Sequence, residues 1–196
     1  MFYNFCRSLF RFFFSVFCHW EVKGLENIPR EGPLLIIANH ISYWDPVVVG
    51  SVMSRKVYFM AKAELFNYPV FGALIRSLGA FPVSRKQVDR SSLKRALALL
   101  SEGKVVCIFP EGTRNKKDDL LPFLPGAAFI ARKASVPIIP IALQKKRRFW
   151  GNKFFPHYIV NIGRSFIIEK EKQGDLKEDA DKMRAKVRGL IDFSIN

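Results

Sequence analysis

"LLIIANHISYWDP", residues 34–46, decides how this chain folds. Five apolar residues in a row, with no polar alternation, read as a strand covered on both faces rather than one with a wet side. The run stops at Asn39 and His40. Asp45-Pro46 then reads as a helix start, with the aspartate as cap and the proline at the first helical position. His40, one of three histidines in the chain, therefore falls on the loop leaving the carboxyl end of a strand, where open α/β sheets place their ligands. An aspartate held by backbone N–H groups stays ionised, so Asp45 can accept from one imidazole nitrogen and leave the other as a base. The pair resembles a catalytic triad without its nucleophile. Ser42 lies in the same loop, but no G-x-S-x-G turn surrounds it, which points to a nucleophile supplied by a substrate hydroxyl. Asn39 and Ser42 are assigned as supporting residues.

The same alternation continues along the chain. Further strand candidates are 57–61, 79–83, 105–109, 138–143 and 158–162, and helical spacing marks 45–54, 64–77, 89–101, 126–135 and 176–193. Apolar strands alternating with helices predict a single α/β domain, a mostly parallel central sheet flanked by helices. Two more strand ends carry polar groups. "GAFPVSR", 79–85, ends on Arg85, and "FPEGTR", 109–114, brings Glu111, Gly112, Thr113 and Arg114. Arginine forks match phosphate oxygens, glycine admits a close backbone approach and threonine adds a hydroxyl, so these turns suit a phosphate.

The formal charge of +15 over 196 residues calls for an anionic partner. A nucleic acid would need a recognisable reading module, and none of the standard patterns occurs. A non-catalytic basic membrane module would account for the charge, yet leaves His40 and Asp45 without a purpose. Cys6, Cys18 and Cys107 show no C-x-x-C spacing, and the reading is a reducing compartment and no structural metal.

Residues 1–20, "MFYNFCRSLFRFFFSVFCHW", are rich in phenylalanine, but Arg7 and Arg11 interrupt them well short of the ~20 apolar residues that span a bilayer. On a helix, Asn4, Arg7, Ser8, Arg11 and Ser15 form a polar stripe among aromatics, which predicts an amphipathic helix lying in the membrane surface. Phe10, Arg11, Phe13, Phe14, Phe17 and Trp20 are its expected interfacial contacts. No small-x-small cleavage pattern follows, against a signal peptide. The division is thus an interface helix over 1–20 and a catalytic domain over 21–196. "QKKRRFWGNKFFP", 144–156, mixes basic and aromatic residues and reads as a second interfacial patch, with an ordinary solvated loop or a docking site for an acidic carrier protein as the alternatives.

"NHISYWD", "GAFPVSR", "FPEGTR" and "VPIIPIAL" stand in the order and approximate spacing of the four sequence blocks of the glycerolipid acyltransferases. The chain resembles the 1-acylglycerol-3-phosphate acyltransferase family over roughly residues 23–165. The resemblance implies His40 as general base, Asp45 as its orienting partner, and Arg85 with the Glu111–Arg114 turn as the glycerol-phosphate site. It implies transfer from a thioester on coenzyme A or acyl carrier protein to the sn-2 hydroxyl of lysophosphatidic acid, with no acyl-enzyme, metal or further cofactor. Glycerol-3-phosphate or another lysophospholipid is the alternative acceptor. The expected location is the cytoplasmic face of the cell membrane, on an anionic surface. "FLPGAA" departs from the family pattern, since Leu124 and Pro125 stand where many members have a lysine, and Pro82 replaces a bulky residue.

Overall fold

The computed structural model describes residues 1–18, 20–84, 89–115, 119–146, 157–170 and 174–191. Its centre is β2 (Leu34–Ala38), whose five side chains are all fully buried. Parallel neighbours flank it on both sides, β5 (Val105–Ile108) and β6 (Ile138–Lys146). That position explains the unbroken apolar run: Leu35 and Ile37 pack into one layer, and Leu34, Ile36 and Ala38 into the other.

Among the described residues the sheet has seven strands in the order β1-β7-β6-β2-β5-β3-β4, with β3 at Val57–Lys62 and β4 at Ala80–Val83. Among the described strands all pairings are parallel except one. β7 (His157–Ile162) runs antiparallel to β6. β1 (Trp20–Lys23) is an edge strand parallel to β7 that the apolar pattern did not announce.

Helix α2 (Asp45–Val52) covers one face, and α4 (Arg90–Ser101), α5 (Pro125–Ala134) and α6 (Leu176–Arg188) cover the other. The expected helix 64–77 is divided into a 3₁₀ turn, Ala63–Asn67, and α3, Pro69–Ser77. Pro69 is the reason: it pushes the preceding residue out of the helical region, and Tyr68 is extended at φ −84°, ψ 112°. Asp89 caps α4 by accepting the N–H groups of Ser91 and Ser92, as an aspartate before a helix should.

The N-terminal helix α1 (Phe2–Phe13) continues through a π turn, Phe14–Cys18, and docks on α2 instead of standing apart. Tyr3 accepts the N–H of Val57 at 3.1 Å, and Arg7 donates to the carbonyl of Ser54. Arg7 thus leaves the expected polar stripe. Two expected interface residues require correction. Phe14 is 1% exposed, edge-on to Trp44 and Tyr158, and Trp20 is the first residue of β1, half-buried and stacked on Phe14 at 5.5 Å. Docking on the sheet, not the helical wheel alone, chooses which aromatics turn inward. The outward apolar row is Phe2, Phe5, Leu9, Phe12, Val16 and Phe17, beside exposed Arg11, while Phe10 and Phe13 are half-buried. Among the described residues no helix is long and apolar enough to cross a membrane.

Candidate active site

At the carboxyl end of β2 the backbone turns away from the sheet, and Asn39 replaces the lost strand pairing. Its buried amide donates to the carbonyl of Leu143 at 2.9 Å and accepts from the Leu143 N–H at 2.7 Å. Clamping both backbone groups of a β6 residue fixes the start of the loop that carries His40.

His40 Nδ1 lies 2.7 Å from Asp45 Oδ2, with the carboxylate wholly buried. The same oxygen accepts the N–H groups of Ile41 at 2.6 Å and Ser42 at 2.7 Å. Asp45 is the first residue of α2 and not its cap, and its side chain reaches back into the loop instead of forward into the helix. Its other oxygen, Oδ1, is buried with no donor among the described residues. A buried carboxylate so placed is a pure acceptor, so Nδ1 carries the proton and Nε2 is left with its lone pair. The imidazole stacks on Phe109 at 4.3 Å and 21°, which restricts rotation of the ring.

The glycine turn that follows β5 is stitched to the same loop. Glu111 accepts the His40 N–H on one oxygen at 2.9 Å and the Leu121 N–H on the other at 3.1 Å. The His40 carbonyl accepts the N–H of Asn115 at 2.7 Å. The assignment of Glu111 to phosphate is corrected here: a carboxylate repels phosphate, and both oxygens are already engaged. Gly112 has φ +67° and uses its N–H on the Phe109 carbonyl at 3.0 Å, which makes it the pivot of the turn and withdraws that N–H from an anion. Thr113 and Arg114 are exposed, and the Arg114 guanidinium lies 3.3 Å above the Tyr43 ring, at the rim of the His40 loop. Arg85 lies outside the described residues, as do 147–156 of the basic aromatic segment.

Several contributors carried no local signal in the sequence. In the sequence Phe109 is the last residue of an apolar run and Tyr158 one residue of a strand, while Asn115 lies beyond the motif that ends at Arg114. Tyr158 is 1% exposed, and its hydroxyl donates to Ser42 Oγ at 3.3 Å. Burial pushes its phenol up to about 12. Burial likewise pushes the Cys107 thiol on β5 far above its ordinary range, leaving it an inert apolar filler.

His40 and the buried Asp45 thus form an oriented imidazole–carboxylate pair at the carboxyl end of the central strand. Residues 19–144 match the family model described as Acyltransferase, and the chain belongs to that family. Its relatives include proteins named 1-acyl-sn-glycerol-3-phosphate acyltransferase. The one from Bacillus subtilis (strain 168) is 34% identical over 143 residues, which is 72% of this chain and 71% of that protein. The beta form from Homo sapiens is 32% identical over 165 residues, 81% of this chain and 58% of that protein. The chain spans 58% of the Borreliella burgdorferi relative and 36% of the chloroplastic one from Brassica napus. The crystal structure of the 1-acyl-sn-glycerophosphate (LPA) acyltransferase, PlsC, from Thermotoga maritima shares the fold, with a TM-score of 0.73, 24% identity, and coverage of 96% of this chain and 78% of that one.

Proposed function

We propose that the protein transfers an acyl chain from a thioester donor, acyl-CoA or acyl carrier protein, to the sn-2 hydroxyl of 1-acylglycerol-3-phosphate, giving phosphatidic acid. The observation that carries this reading is the 2.7 Å contact between His40 Nδ1 and Asp45 Oδ2. The names of the relatives supply the acceptor. Nε2 takes the hydroxyl proton as the oxygen attacks the thioester carbonyl, and the imidazolium, held by Asp45, then returns that proton to the departing thiolate. The C–S bond breaks as the ester C–O bond forms, and no acyl-enzyme intervenes. Ser42 is not a competing nucleophile, because its Oγ already accepts from Tyr158 and from the Trp44 N–H at 3.3 Å.

A thioester is already activated, so a positioned base and a fixed acceptor supply most of what the reaction needs. Arg114, with Arg85, would hold the phosphate, since a guanidinium fork matches phosphate oxygens. No further cofactor or metal enters the scheme. The exposed apolar row of α1 would rest in the leaflet that holds the lysolipid, with Arg11 near anionic headgroups, on the cytoplasmic face of the cell membrane.

The test is product formation by purified protein from palmitoyl-CoA and from palmitoyl carrier protein, with lysophosphatidic acid in vesicles as acceptor. Phosphatidic acid from either donor supports the reading. Turnover only with glycerol-3-phosphate or with another lysophospholipid rejects the acceptor. Turnover with none rejects the enzyme.

A further inference from the structure

Tyr158 belongs to none of the four motif blocks, yet it is among the largest wholly buried side chains. Phenylalanine would fill the same space without a hydroxyl to satisfy, and a buried hydroxyl is costly unless it is bonded. Here it reaches Ser42 Oγ at 3.3 Å. Ser42 in turn grips Asp45 through its backbone: its N–H donates to Asp45 Oδ2 at 2.7 Å, and its carbonyl accepts the Asp45 N–H at 3.3 Å. Asp45 Oδ1 has no donor among the described residues, so the carboxylate is oriented through Oδ2 alone. Any rotation of the Ser42 peptide removes one of its three anchors.

We propose that Tyr158 is a positioning residue for the reaction: its hydroxyl pins Ser42, and Ser42 keeps the Asp45 carboxylate aligned on His40 Nδ1. The proposal rests on the acyl-transfer reading above. Tyr158 is itself well braced. Phe14 packs edge-on against its ring at 6.0 Å and 77°, and the Lys145 ammonium lies 5.1 Å from the ring centre. The phenol remains protonated, and therefore a donor, throughout the range in which an imidazole base works. The contact with Phe14 also ties Tyr158 to the π turn that continues α1, so the N-terminal segment braces the dyad loop as well as forming a surface element.

The experiment compares Tyr158→Phe, Ser42→Ala and the double variant in the full chain, using lysophosphatidic acid in vesicles and palmitoyl-CoA. Tyr158→Phe keeps the ring and its packing, and thermal unfolding checks the fold. It should lower kcat about five- to tenfold, the effect of one lost hydrogen bond, while KM for the lysolipid and vesicle binding stay unchanged. The acid limb of the kcat profile should move to lower pH, because a less well-held carboxylate stabilises the imidazolium less. The double variant should be no slower than Ser42→Ala alone. Wild-type kcat with an unmoved acid limb overturns the proposal, and so does a double loss equal to the product of the two single losses. If the wild type itself makes no phosphatidic acid, the acyl-transfer reading falls and takes this role with it. Wild-type turnover with an unaltered Tyr158→Phe removes Tyr158 alone.

Discussion

The carboxylate of Glu111 accepts the backbone N–H of His40 at 2.9 Å, although the two residues stand 71 positions apart. With its second oxygen on Leu121, the side chain fastens the β2 loop to the turn after β5. Glu111→Gln puts an amide NH₂ against one of two N–H donors, so one buried bond is lost and a like-for-like repulsion replaces it. The expected result is destabilisation of about 1–3 kcal/mol and a kcat reduced roughly tenfold or more, with KM for lysophosphatidic acid little changed. A rise in KM at constant kcat and stability would mean that Glu111 faces the substrate after all.

Arg114 is expected to show the opposite split. It is exposed and held over Tyr43 by stacking, with nothing buried beneath it to collapse. Arg114→Ala should leave the melting temperature nearly unchanged and raise KM for the phosphorylated acceptor about tenfold or more. Arg114→Lys should restore only part of this, because an ammonium keeps the charge but not the planar fork. Kinetics at varied acceptor concentration decide it.

The inward and outward faces of α1 and its π turn should separate cleanly. Phe14→Ala removes a wholly buried ring and should cost about 3–5 kcal/mol in denaturant unfolding. Phe5→Ser with Phe12→Ser touches only exposed positions, so unfolding should be unaltered while partition onto anionic vesicles falls. Equal vesicle binding by that pair and the wild type would remove the helix from the interface.

Stability should decline at alkaline pH. The Tyr158 phenol is raised to about 12 by burial, above its ordinary value of 10.0, so the folded state retains a proton that the unfolded chain gives up. Its contribution is full below pH 10 and is lost as pH rises toward 12. Tyr3 and Cys107, both raised by burial, act in the same direction. Urea unfolding between about pH 9 and pH 12 should show the decline, and Tyr158→Phe should flatten part of it; an unchanged slope in that variant would contradict the assignment.

What could be read from the sequence follows the range of the interactions. β2, its loop and α2 were legible because an apolar run, a histidine and an Asp-Pro start are local signals, and the covered parallel sheet followed from them. β1 was not, since "WEVK" is four residues at a sheet edge with charges at alternate places. β7 was found, but its direction was not: an apolar run reads the same parallel or antiparallel. Phe14 was placed among outward aromatics because a helical wheel does not know where Trp44 and Tyr158 stand. Glu111 was grouped with its neighbours in the turn, while its partners are two backbone N–H groups brought to it by tertiary structure. At the site, the pairing of His40 with Asp45 was anticipated, and the scaffold that aims it was not.

If the His40–Asp45 pair is the base of an acyl transfer to lysophosphatidic acid, the turnover number of His40→Ala must reveal it. Measured in vesicles beside the wild type and Asp45→Asn, with folding and vesicle binding checked in each, His40→Ala should lose about 10²–10⁴-fold in kcat. Asp45→Asn should fall within the same range, through the wrong tautomer. A folded, vesicle-bound His40→Ala that turns over at the wild-type rate would exclude His40 as the base.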